Sequence, residues 1–103
     1  MLSVSGLEEL VLIVISAGRG RAYGVSIFDA LQAAGASSSL GAIYATLERL
    51  ENDGLIGSEL GAPSASRGGR RKRLFQITTS GKAALTQSAG IRKRLLKLQP
   101  RTP

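Results

Sequence analysis

The chain has 103 residues, a formal net charge of +7, and neither cysteine nor histidine. That length supports one domain with a modest core. The missing residue types exclude disulfides, thiolate metal sites and the usual imidazole base, ligand and neutral-pH switch. Charge is segregated: residues 1–60 hold all seven acids against three bases, while residues 61–103 hold eleven bases and no acid. Such a distribution suits a polyanion-facing surface or a solvated basic tail. Aromatics are limited to Tyr23, Phe28, Tyr44 and Phe75, so the core is expected to be Leu, Ile, Val and Ala.

The apolar run at residues 10–15 falls far short of the ~18 residues of a membrane span. It follows Glu8 and Glu9 rather than a basic segment, so neither a membrane helix nor a signal peptide is expected. A cytoplasmic protein is the expectation. Ser5 and Glu8 have capping-box spacing, which predicts a first helix over residues 6–17. Leu7, Leu10, Val11, Val14 and Ile15 form its stripe, and Leu12 and Ile13 make it apolar nearly all round. Such a helix is buried on two sides, one against its own core and the other against a partner subunit.

Gly18 to Arg21 break that helix, and a second is predicted over residues 23–34, with Ile27, Phe28, Leu31 and Ala34 at helical spacing. Gly35 ends it. The serines at 37–39 supply capping side chains for a third helix over residues 40–53. Leu40, Ile43, Leu47 and Leu50 form its buried stripe, and Gly54 closes it. Two short helices joined by a polar turn fit a helix-turn-helix. Residues 55–61 and 73–78 then read as a strand pair, with Phe75 and Ile77 on one face and residues 62–72 as the loop. Thr78 or Thr79 caps a last helix reaching residue 98, its apolar positions being Leu85, Ala89, Leu95, Leu96 and Leu98. The expected fold is mainly α with a small β-hairpin: a winged helix-turn-helix over residues 1–78, with its wing at 55–78, then a C-terminal dimerisation helix over 79–99 and a frayed tail at 100–103.

The stretch SRGGRRKRLFQIT, residues 66–78, puts five cations within seven residues and then turns apolar. On a hairpin, Arg67, Arg70, Arg71, Lys72 and Arg73 occupy the tip and rising arm, where their mutual repulsion does nothing for folding. A row of phosphates relieves that repulsion. A disordered basic loop or a localisation signal would leave the same composition. Base reading falls to the third helix: Gly41, Ala42 and Ala45 allow close approach, and Ser38, Ser39 and Thr46 offer hydroxyl donors. Tyr44 either packs in the core or bonds a phosphate, and Arg49 either reaches a phosphate or pairs with Asp53.

Together, YGVSIFDALQ, SLGAIYATLERLENDGLIGSELG, RGGRRKRLFQITTSGKAAL and the opening LEELVLIVI resemble the PadR-like transcriptional regulators, over residues 7–85. The resemblance implies a winged-helix repressor that acts as a homodimer on double-stranded DNA. It maps DNA contacts onto Ser39, Gly41, Tyr44 and the wing arginines. It also implies a dimer in which Leu85, Ile91, Leu95 and Leu98 meet the partner's first helix at Leu10, Val11 and Val14. Many members have Thr and Pro where this chain has Ala42 and Ala45, so base preference does not carry over. Some members bind aromatic drugs or phenolic acids between subunits; this chain has no Trp, and no effector or cofactor is assigned. Another function class stays open, a winged-helix protein-interaction module with an acidic partner, because fold does not fix function. An enzyme is not expected, since His and Cys are absent and the acids show no paired-carboxylate motif.

Overall fold

The computed structural model describes Val4, residues 6–63, residues 71–98 and Pro100. The elements run α1 (Gly6–Gly18), α2 (Gly24–Ala33), α3 (Leu40–Asn52), β1 (Ile56–Pro63), β2 (Arg71–Ile77) and α4 (Thr79–Leu96). This is the predicted order, and winged-helix architecture is the result. Both strands extend further toward the hairpin tip than predicted, taking in Ala62, Pro63, Arg71 and Lys72. Backbone pairing carries the ribbon outward although its tip has loop composition.

The helix stops follow from glycine. At the end of α2, Gly35 has φ +86°, with Gly35 N–H donating to the Gln32 carbonyl and Ala36 N–H to that of Leu31. At the end of α3, Gly54 has φ +75°, with Gly54 N–H donating to Glu51 and Leu55 N–H to Leu50. Both are Schellman closures, which need a left-handed residue and so favour Gly. Thr78 starts α4: its Oγ1 accepts from Gly81 N–H at 3.0 Å and donates to the Gly54 carbonyl at 2.7 Å. One side chain thereby joins the start of α4 to the end of α3. The proposed Ser5 cap of α1 lies outside the described residues.

The core is aliphatic: Val11, Leu12, Ile15, Ile27, Leu31, Ile43, Leu47, Leu50, Leu55 and Ile56 are buried around Phe75. Each large side chain contributes roughly 1.5–3 kcal/mol on burial. Two positions depart from the expected stripes. Leu12 belongs to the core, because the α1 face toward α2, α3 and β2 is broader than one stripe. Leu40, the first residue of α3, is exposed.

Val11 requires a correction. Assigned from sequence to a partner-facing surface, it is 0% exposed within its own domain and has no area left to offer. Glu8 and Glu9 in the first turn of α1 are buried as well. Glu8 Oε2 lies 3.6 Å from Arg49 Nη1 on α3. Glu9 pairs with Arg92 Nη2 at 2.5 Å and accepts from Ser88 Oγ, both on α4. Adjacent acids on α1 thus fasten it to two different helices, and a buried carboxylate needs such partners.

Candidate nucleic-acid interface

β1 and β2 pair antiparallel, with Ile56 opposite Ile77, Ser58 opposite Phe75 and Leu60 opposite Arg73. Beyond Leu60 the register shifts, and Pro63 faces Arg71. The extra residue on β1 is a bulge, the kind of irregularity that twists an exposed ribbon and tolerates proline. Arg71 Nε donates to the Gly61 carbonyl at this bulge at 2.7 Å, and Arg73 Nη1 donates to Ser58 Oγ at 3.1 Å. The guanidinium groups are therefore ordered on the ribbon while the residues stay exposed. Arg67 and Arg70 lie outside the described residues.

The base of the wing is fixed by more than Phe75 packing. Phe75 N–H donates to the Ala22 carbonyl at 2.8 Å, an antiparallel bridge on the edge of β2 away from β1. The segment leading into α2 is therefore tied to β2 at this one bridge.

Ser39 caps α3, its Oγ accepting from Ala42 N–H at 3.0 Å. The positive dipole end of this capped helix still favours an anion close by. Gly41, Tyr44 and Ala45 are exposed on this first part of α3, Ala42 is half-buried, and Ser38 precedes it half-buried. Tyr44 resolves neither into the core nor fully into solvent. It is 49% exposed and lies across the first turn of α2, so that a Cβ on Gly24 would sit 2.5 Å from its Cε1.

Two sequence assignments change. Thr46 is only 3% exposed, and its hydroxyl donates to the Ala42 carbonyl at 2.8 Å, so it offers nothing to a groove. Its β-branched side chain turns inward beside Ile43 and Leu47. Arg49 pairs with Glu8 on α1 rather than with Asp53, so its charge also serves to hold α3 in place.

Tyr23, Gly24 and Val25 at the start of α2, Tyr44 on α3, and Arg71, Lys72, Arg73 and Phe75 on β2 enclose an open cleft of about 500 Å³. Sequence reasoning brought the cations and Tyr44 to one face but missed Tyr23, whose place depends on a backbone bridge to a distant strand. Among the described residues no cluster of His, Cys, Asp or Glu could hold a metal ion. Cations and phenols around a cleft bind anions by charge and hydrogen bonding.

A sequence model of the transcriptional regulator PadR-like family matches residues 11–87. The chain belongs to the PadR-like family. Its members are transcriptional regulators rather than enzymes. A transcriptional regulator of Mycobacterium tuberculosis is 38% identical over 65 residues, which span 63% of this chain and 57% of that protein. The X-ray structure of a PadR-like transcription factor from Bacteroides fragilis is 25% identical with a TM-score of 0.74, covering 88% of this chain and 84% of that one. A PadR-like regulator from Bacillus cereus is 28% identical with a TM-score of 0.68, covering 92% and 93%. Bacillus subtilis PadR, solved in complex with operator DNA, shares the fold at 20% identity and a TM-score of 0.69, over 96% of this chain and 52% of its own. Among the described residues no helix is long and apolar enough to cross a membrane.

Proposed function

We propose that this PadR-like chain is a cytoplasmic, homodimeric, sequence-specific DNA-binding repressor. The observation that carries this reading is the cleft that sets the half-exposed Tyr44 of α3 beside the cationic arm of β2. Family membership supports it, as does the operator complex of the B. subtilis protein with the same fold. In this reading α3 enters the major groove with Gly41, Ala42 and Ala45 against its wall. Ser38, Ser39 and Tyr44 contact phosphate or base edges, and Arg49 contacts the backbone secondarily. Arg67, Arg70, Arg71, Lys72 and Arg73 hold the phosphate backbone. Phosphate contacts set position and affinity, and base-edge contacts set sequence.

In this reading residues 1–78 are the winged domain and α4, which ends at Leu96 rather than at residue 98 or 99, is the dimerisation element together with Leu98 just past it. Ile91, Leu95 and Leu98 are exposed large hydrophobics on or just past α4. With Leu85 they meet Leu10 and Val14 of a second copy. Adjacent half-sites then lie about one helical turn, ~34 Å, apart.

Selection from a pool of random duplexes tests the proposal. The expected outcome is an enriched, two-fold symmetric sequence bound far more tightly than bulk DNA. Failure of any sequence to exceed bulk DNA by about tenfold, against the usual margin of roughly 10³ or more, removes the claim of specificity.

A further inference from the structure

We propose that Tyr23 is a positioning residue for nucleic-acid contact, its ring ordering the Lys72 ammonium so that the wing offers a fixed and still uncompensated cation to a phosphodiester. This rests on the DNA-binding reading above and assigns a role to a side chain outside the α3 and wing residues named there. Lys72 Nζ sits 4.1 Å from the centroid of the Tyr23 ring, well inside the range of a cation–π contact.

The backbone explains why the two meet. The Ala22–Phe75 bridge is antiparallel, so continuing it by one residue sets Tyr23 beside Leu74, with Lys72 as its diagonal neighbour on the same face. Diagonal pairs on one face are within reach of aromatic and long side chains. Tyr23 cannot drift from this register. It is the N-cap residue of α2, with its N–H donating to Ser26 Oγ and its carbonyl accepting from the same hydroxyl, both at 2.9 Å.

The chemistry of the partner decides what this contact is for. A carboxylate would order a lysine by cancelling its charge. An aromatic face orders it and leaves the full charge for another anion. Among the described residues Lys72 makes no ion pair, although Glu59 lies on the same face of the hairpin. A flexible lysine gives up rotamer freedom when it binds phosphate, and the ring removes part of that freedom beforehand. The contact also closes one side of the cleft between β2, α2 and Tyr44.

A double-mutant cycle on the full chain tests this, using a fluorescent random-sequence duplex as the probe. Thermal melts confirm folding, and proton NMR of the free protein reads the Lys72 ε-methylene. Tyr23→Leu is expected to weaken duplex binding about three- to fivefold, a part of the cost of immobilising one rotamer-rich side chain on binding. Tyr23→Phe keeps the ring and retains wild-type affinity. In a Lys72→Ala background Tyr23→Leu costs nothing further, since the two residues act as a unit. In wild type and Tyr23→Phe the ε-methylene resonances are shifted upfield by the ring current, and in Tyr23→Leu they are not.

Equal binding by wild type and Tyr23→Leu, tighter binding by Tyr23→Leu, or independent effects in the cycle each overturn the inference while leaving DNA binding intact. Absence of the upfield shift in wild type overturns it from the free protein alone, even if Tyr23→Leu fails to fold. Wild type that binds no duplex at all defeats the DNA-binding reading itself.

Discussion

At the residue scale, two positions separate stability from recognition. Gly81 lies where α4 passes the end of α3, and a Cβ there would run into the Leu55 carbonyl oxygen and crowd Ile77. Backbone cannot move aside as a flexible side-chain tip can. Gly81→Ala is therefore expected to destabilise the domain by about 1–3 kcal/mol, as overpacking does, read from urea denaturation. Thr46 makes the opposite case. Because its hydroxyl is committed to the Ala42 carbonyl, Thr46→Val should leave duplex affinity and sequence preference unchanged in a binding titration. A clear drop in affinity at unchanged stability would return Thr46 to the DNA-facing surface.

At the element scale, the Thr78 hydroxyl at the start of α4 caps its own helix and binds the last loop of α3, beside the Thr78 N–H that donates to the Leu55 carbonyl. Thr78→Ala removes both hydroxyl bonds and is expected to cost about 1–2 kcal/mol, measured by chemical denaturation. The helix ends were legible in the sequence, because Gly35, Gly54 and Thr78 each act through local backbone geometry. Residue burial along α1 was legible only in part. Periodicity marked Val11 and Ile15 as apolar but did not tell which apolar residues face the domain and which face outward. The pairing of Glu9 with Arg92 and Ser88 was not legible, since it joins the first and last helices. A hint existed, because two adjacent acids in a helix otherwise apolar all round must find cations. The site followed the same rule. The cationic arm and the small face of α3 were visible in composition, whereas Tyr23 enters only through the bridge of Ala22 to Phe75.

At the scale of the whole molecule, the apolar end of α4 and the cationic wing ask for different partners. Leu95 is 59% exposed beside Ile91 and Leu96, in a groove of about 330 Å³ that also reaches Glu9 and Arg92. Sedimentation equilibrium at micromolar concentration should give a dimer for the wild type and a monomer for Leu95→Glu, since a charge there cannot be desolvated without a partner. A wild-type monomer would contradict the proposed role of residues 79–99. The segregation of eleven bases into residues 61–103 bears on the other partner. Its most direct test is the salt dependence of duplex binding for wild type and for the variant with Arg71, Lys72 and Arg73 all changed to Ala, followed by fluorescence anisotropy. The variant should bind more weakly, and its slope of log affinity against log salt should flatten by about 0.9 for each phosphate that the wing no longer neutralises. Equal affinities and equal slopes for the two proteins would contradict the assignment of the wing to the phosphate backbone.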